Sequence, residues 1–191
     1  MSVYTINSET ELAGGSVADG DELVIYDLSA KTTKKVKMDS VRQYVGGGVV
    51  DVTDATISLT AAAHANRIVT LNRAAGVTVT LPAATGTGDK YTVVIGTAAT
   101  SNANIIETSA TTEHMAGTAV AADDDTEGAG TAHVWNCETS DDTITMDGTA
   151  TGGKIGDVIT IIDYAATIFT VNAQLTQSGG SEVTPFSAAV S

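Results

Sequence analysis

The sequence predicts an all-β protein, an antiparallel, jelly-roll-like β-sandwich preceded by a small N-terminal β-meander with a short helix. Short alternating or apolar runs recur at intervals of about ten residues, which is the spacing of a sandwich or barrel. Thr and Ala form close to a third of the chain, whereas aromatic residues make up 4% and Pro occurs only twice. Because β-branched side chains fit a pleated surface while Gly and Asn supply turns, this composition favours strands.

The first 45 residues contain three strand candidates and the start of a helix. Val3–Asn7 alternates, Leu23–Asp27 is an apolar strand, and Lys34–Met38 alternates again. Asp39 or Ser40 is then expected to cap a short helix, because either side chain can accept the free N–H groups of a first helical turn. The pattern predicts a small meander closed by a helical turn.

Gly46–Gly48 interrupts this pattern and predicts a boundary between two units. We expect a small N-terminal attachment module at residues 1–45 and a β-sandwich domain at residues 49–191. The charge divides at the same place, since residues 1–45 hold five basic and seven acidic residues and the remainder holds four basic and sixteen acidic residues. The net charge of −14 therefore belongs mainly to the second unit.

The second unit contains ten strand candidates. In chain order they are Thr56–Thr60, Arg67–Asn72, Val77–Leu81, Tyr91–Gly96, Asn104–Thr108, Met115–Val120, Ala132–Cys137, Thr143–Met146, Asp157–Asp163 and Ile168–Asn172. Asn72–Gly76 has the length of a hairpin loop with Gly at a positive φ, and Thr85–Asp89 is similar. A competing interpretation is that Ala61–Asn66 forms a helical turn, because Ala favours helix, but the segment is too short to change the fold class. The tail, Gln177–Ser191, has no pattern and is expected to be disordered or extended along a neighbouring subunit.

The composition argues against several classes of function. A net charge of −14 disfavours nucleic-acid binding, because phosphates are neutralised by Lys and Arg. The single cysteine, Cys137, excludes an intramolecular disulfide and cannot alone hold structural zinc. No apolar run approaches the roughly 20 residues that cross a bilayer, and Met1–Ile6 lacks a signal-peptide pattern. We expect a soluble protein made without a secretion signal, with no nucleic-acid or membrane partner.

Candidate chemistry is sparse. His133 and Cys137 are four residues apart and share one face of a predicted strand, but no third metal donor is evident. Gly86–Lys90 has the wrong spacing for a phosphate loop, and no Ser lies in a nucleophile elbow. Asp123–Glu127 and Asp141–Asp142 offer oxygens to Ca²⁺, although a solvated acidic loop is the favoured interpretation of each. We expect no enzyme activity, no catalytic residue, no metal and no cofactor.

Basic residues cluster in the first unit. Lys34, Lys35 and Lys37 lie on one predicted strand, and Arg42 follows it. Alternation places Lys35 and Lys37 on one face of that strand, while Val36 points to the other. A one-sided basic edge suits docking to an acidic partner, and a merely solvated charged face is the alternative. These four basic residues are the predicted partner-binding residues.

Two stretches resemble structural proteins of tailed bacteriophages. Asp19–Asp27 (DGDELVIYD) and Thr33–Asp39 (TKKVKMD) look like a short module of phage virion proteins, in which a strand ending in Tyr-Asp precedes a Thr-Lys-Lys strand. Arg67–Gly86 (RIVTLNRAAGVTVTLPAATG), followed by Gly88–Tyr91 (GDKY), is similar to a β-rich repeat of such proteins, especially in phages of cyanobacterial and marine hosts.

The resemblance implies a virion protein of the capsid surface, made in the host cytoplasm. Its implied role is capsid decoration (cement), with the major capsid protein as partner. A homotrimer is expected, since a closed homo-oligomer satisfies its own interfaces. The alternative is a tail or fibre component involved in host attachment. A chain of 191 residues is short for a fibre shaft, which favours decoration.

Overall fold

The structure is a computed structural model that describes residues 20–38, 40–41, 47–124 and 130–190. The chain divides into two compact units, Met1–Val45 and Gly46–Ser191. The division falls at the first glycine of Gly46–Gly48. In their described parts, the first unit is a hairpin and the second is a two-sheet sandwich.

The hairpin of the first unit is antiparallel and consists of β1 (Glu22–Asp27) and β2 (Thr32–Lys37). Its register pairs Leu23 with Val36, so these two apolar side chains lie on the same face, as alternation predicts. The predicted strand at Val3–Asn7 lies outside the described residues.

Helix is scarce in the described residues. Met38 is already helical, so the helical turn after β2 begins one residue before the first predicted cap. The predicted alanine-rich turn is present as α1 (Ala61–His64), and its N-cap is Thr60, whose hydroxyl accepts the N–H of Ala63 at 3.3 Å. Helix α1 is a single turn, and the fold class is all-β.

The described part of the second unit contains twelve strands. They are β3 (Val49–Val52), β4 (Thr56–Ser58), β5 (Ile68–Leu71), β6 (Thr78–Thr80), β7 (Lys90–Ile95), β8 (Asn104–Glu107), β9 (His114–Asp123), β10 (Ala132–Asn136), β11 (Thr143–Met146), β12 (Val158–Ala165), β13 (Ile168–Gln177) and β14 (Phe186–Ser187). The ten predicted strands are all present. Two others, β3 and β14, were not predicted, because each is short and adjoins loop-like sequence.

These strands form two sheets, with orders β10-β9-β13-β12-β7-β5-β3 and β14-β11-β8-β6-β4. From β3 to β8 the chain changes sheet at every strand, so that β3, β5 and β7 lie parallel in one sheet and β4, β6 and β8 lie parallel in the other. Strands β11 and β12 then join antiparallel to β8 and β7. The all-β sandwich is confirmed, and its strand pairing is mixed where the sequence predicted antiparallel sheets.

The predicted hairpin loop at Asn72–Gly76 is wrong. This loop joins β5 to β6, which lie in different sheets, so it is an arch between sheets. Gly76 does have the expected positive φ, +78°, and a Cβ there would lie 2.2 Å from the carbonyl oxygen of Ala103. Only glycine permits this approach of two backbones. The loop at Thr85–Asp89 is an arch as well, since it joins β6 to β7 in the other sheet.

Both sheets contribute to one apolar core. Strand β7 buries Tyr91, Val93 and Ile95, while the smaller sheet contributes Ile106 of β8 and Ile144 of β11. Burial of a large aliphatic side chain stabilises a fold by about 1.5–3 kcal/mol. Aliphatic side chains from facing sheets therefore stabilise this unit with little help from aromatic residues.

The C-terminal tail was predicted to be disordered or extended along a neighbour, and this prediction is wrong for its described residues, 177–190. Phe186 begins β14, pairs with β11 and is 5% exposed. Gln177 is fully buried, and its Nε2 donates to the carbonyl oxygens of Ala150 and Val183, each at 2.8 Å. Its Oε1 accepts the indole N–H of Trp135 at 3.0 Å. One apolar anchor and one buried amide thus hold the tail on its own sandwich.

Replacing Phe186 by Ala is expected to lower the free energy of unfolding by about 3 kcal/mol or more, because it leaves a cavity under β14. The matched control is Val183→Ala in the same tail, where the side chain is 48% exposed and the change is expected to stay within about 0.5 kcal/mol. Urea unfolding followed by the fluorescence of Trp135, the single tryptophan, measures both. If Phe186→Ala changes the free energy of unfolding as little as Val183→Ala does, the tail is not part of the core.

Candidate functional site

The predicted partner-binding lysines lie on the hairpin, where two of them form ion pairs. Nζ of Lys34 lies 2.5 Å from Oδ2 of Asp27, and Nζ of Lys35 lies 2.5 Å from Oε2 of Glu22. The contact with Lys34 lowers the pKa of Asp27, and the contact with Glu22 raises the pKa of Lys35. Arg42 lies outside the described residues. The hairpin therefore balances part of its positive charge with its own carboxylates.

One face of the hairpin combines apolar and charged side chains, and on it the acidic Glu22 lies opposite Lys37. The register pairs Val24 with Lys35, and alternation adds Tyr26 and Lys37 to the same side. Val24 is 62% exposed and Tyr26 is 59% exposed. We call Val24, Tyr26, Lys35 and Lys37 the hairpin face. Alternation along the sequence predicts that Lys35 and Lys37 share a face, but it does not predict that Val24 and Tyr26 are exposed beside them.

His133 and Cys137 do not share a site on one strand. Strand β10 ends at Asn136, so Cys137 lies beyond it. Burial, together with the carboxylate of Asp141, raises the pKa of Cys137 to about 12. The thiol is therefore protonated and unreactive at neutral pH. The imidazole of His133 instead stacks on Trp135, with ring centroids 5.8 Å apart and planes 10° from parallel.

Two carboxylates that sequence spacing did not connect with His133 lie beside it. Asp123 ends β9, and Glu182 comes from the tail. Oε2 of Glu182 lies 3.9 Å from Nε2 of His133, and one ligand atom from each of the three residues lies within 4.8 Å of the others. Of the predicted acidic loop, Asp124 pairs with Lys154 at 3.6 Å, and the residues that follow it, 125–127, lie outside the described residues.

Asp141 and Asp142 were predicted to lie in a solvated loop, but both are buried. Asp141 accepts the N–H of Glu138 at 2.6 Å, and Asp142 accepts the N–H groups of Ala189 and Val190 at 2.8 and 3.2 Å. Burial raises the pKa of Asp142 while these hydrogen bonds lower it, and the net direction is a lowered pKa. The two carboxylates therefore bind loop backbone, which opposes the predicted alternative of an open Ca²⁺ site.

The loop before β7, which superficially resembles a phosphate-binding loop, binds the carboxylate of Asp163 through its backbone. The N–H groups of Thr85, Gly86 and Thr87 donate to its oxygens at 3.0, 2.7 and 3.4 Å. Burial raises the pKa of Asp163, these hydrogen bonds lower it, and the net direction is a lowered pKa. The carboxylate fills the position that a phosphate would need, and it joins the arch to β12.

No helix of the described residues is long and apolar enough to cross a membrane. Comparison of the sequence with protein-family models finds no match, and comparison with curated proteins finds none either. The hairpin face and the cluster around His133 are therefore the features from which a function can be inferred.

Replacing Asp163 by Asn is expected to lower the free energy of unfolding at pH 7 by about 2 kcal/mol, because the amide cannot accept all the hydrogen bonds of the arch. The native pKa of Asp163 lies below its unfolded value, so its contribution is complete above about pH 4 and is lost as the pH falls through the native pKa. The difference in the free energy of unfolding between the wild type and Asp163→Asn is therefore expected to become smaller in acid.

Urea unfolding at pH 7 and near pH 3 measures this difference. The control is Asp54→Asn, because Asp54 is exposed. It is expected to leave the stability unchanged at both pH values. A difference for Asp163→Asn that stays constant with pH would contradict the proposed role of its charge.

Proposed function

We propose that the protein is a bacteriophage capsid decoration (cement) protein that binds the outer surface of the major capsid shell and stabilises it. The observation that carries the proposal is the hairpin face, on which Val24 and Tyr26 are exposed beside Lys35 and Lys37. Adjacent exposed apolar side chains are typical of surfaces that contact a partner. The resemblance of the sequence to phage virion proteins supports the same role.

The chemistry of the hairpin face suits a partner surface that is apolar at its centre and acidic at its rim. Tyr is enriched at the centres of protein interfaces, where its ring is buried. Lys37 forms no ion pair with any described residue, whereas Lys35 is already paired with Glu22. Rim charges of this kind act mainly on orientation and on the association rate. Apolar contact therefore supplies most of the affinity, and Lys37 favours an acidic rim.

In this proposal the second unit is the folded domain that covers the capsid surface. Its core is closed between two sheets, and its four basic and sixteen acidic residues give it a strong negative charge. Like charge on such a surface keeps particles apart. A homotrimer presents three hairpins at once, and three linked weak contacts bind far more tightly than one. Each bound trimer then adds interface area between neighbouring shell subunits, which is how it would strengthen the shell.

Deleting residues 1–45 is expected to leave a folded sandwich that no longer binds undecorated capsids, because the core of residues 46–191 is complete without them. Circular dichroism and thermal unfolding test the folding of the truncated chain, and co-sedimentation with emptied capsids tests its binding. Full occupancy by the truncated chain would place the attachment surface in the second unit. If neither chain binds capsids and the intact protein is found only in isolated tails, the appendage alternative replaces decoration.

The double variant Val24→Ser, Tyr26→Ser is expected to weaken capsid binding about tenfold or more, since buried interface anchors each contribute at least about 1–2 kcal/mol. Lys37→Glu is expected to weaken binding less, and more at low salt than at high salt. The controls make comparable changes in the second unit. They are Ile155→Ser, at an apolar side chain that is 72% exposed, and Lys90→Glu. Equal losses in these controls would contradict docking through the hairpin face.

A further inference from the structure

Three potential metal ligands meet where the end of β9, the start of β10 and the tail come together. Ala121 of β9 is fully buried and pairs with His133, so the imidazole lies on the inner side of the sheet. Asp123 is two residues beyond Ala121 on the same strand and therefore shares that side. Glu182 reaches the same place from the tail. One ligand atom from each of the three lies within 4.8 Å of the others.

The side chain of Glu182 is about nine-tenths buried, and its carboxylate points at the imidazole. Its side chain is 9% exposed, and its Oε1 accepts the N–H of Gly180 at 3.1 Å. Its Oε2 lies 3.9 Å from Nε2 of His133, which is too long for a hydrogen bond. A buried carboxylate needs a close partner to offset its loss of hydration. A cation between Oε2 and Nε2 would supply one.

The surroundings hold these ligands in place. The ring of His133 is stacked on Trp135, whose indole N–H is bound by the buried amide of Gln177. The same amide donates to the carbonyl oxygen of Val183, the residue after Glu182. Supporting contacts of this kind orient metal ligands and strengthen their affinity. The imidazole and the backbone next to Glu182 are thus held by one connected set of side chains.

We propose that Asp123, His133 and Glu182 bind one divalent cation of the Zn²⁺ class. Zn²⁺ binds imidazole nitrogen and carboxylate oxygen in four-coordinate sites, whereas Ca²⁺ takes six to eight oxygens. Tetrahedral ligands about 2.1 Å from Zn²⁺ lie about 3.4 Å from one another, so the three side chains need to close by about 1 Å. A water completes the coordination. The bound ion ties the tail to the β9–β10 edge of the sandwich.

The test uses tag-free, full-length protein that has been treated with a chelator and then titrated with Zn²⁺ by calorimetry. We expect one ion per chain, a higher melting temperature with Zn²⁺, and an affinity that falls at least about tenfold in both His133→Gln and Glu182→Gln. Circular dichroism checks that each variant is folded. If Glu182→Gln does not fold, Asp123→Asn takes its place.

Two control variants exclude other binding modes. His64→Gln removes a histidine of α1, and Cys137→Ser removes the single thiol, and both are expected to leave zinc binding unchanged. The proposal is overturned if saturable binding near one ion per chain is not observed. It is also overturned if His133→Gln and Glu182→Gln both bind as wild type does, or if Cys137→Ser abolishes binding. The test needs no capsid, so its outcome is independent of the proposed decoration function.

Discussion

The change of sheet at every strand from β3 to β8 is the constraint on which the rest of the sandwich depends. Each strand here pairs with the next strand but one along the chain, as β3 does with β5. This region therefore has no hairpin of consecutive strands from which folding could start. The pairing becomes stable only when the two sheets face each other and share apolar residues such as Val93 and Ile106. Such non-local pairing is slow to form. The antiparallel strands β11 and β12 then extend the two sheets on the same core.

Buried carboxylates hold the loops between the strands in place. Among the described residues five acidic side chains are buried, and each accepts backbone N–H groups. They are Glu113, Asp141, Asp142, Asp157 and Asp163. Hydrogen bonds to a charged acceptor are stronger than those between neutral groups. A chain with one cysteine has no disulfide for this purpose, so part of its negative charge is structural and does not belong to the solvated surface.

Local sequence patterns predicted the strands because side-chain alternation is a local property, and Thr143–Met146 coincides with β11. Pairing is not local. Asn72–Gly76 has the length and the glycine of a hairpin loop, yet the strands that it joins are drawn into opposite sheets by the core. The tail was missed because Phe186 stands alone in a strand of two residues. The carboxylate beside His133 was missed for the same reason, since Glu182 belongs to that tail.

The two units bury their apolar residues in different ways. In the sandwich each apolar face meets the other sheet, whereas the described part of the first unit has two strands and no second sheet. A two-stranded hairpin is marginally stable by itself. Val24 and Tyr26 are each more than half exposed on the hairpin face, and covering such a side chain stabilises the fold by about 1.5–3 kcal/mol. A partner that covers the hairpin face would therefore stabilise the hairpin as it binds. Since Lys35 is paired within the hairpin, apolar contact would provide most of the affinity in the proposed docking, and Lys37 would act mainly on orientation.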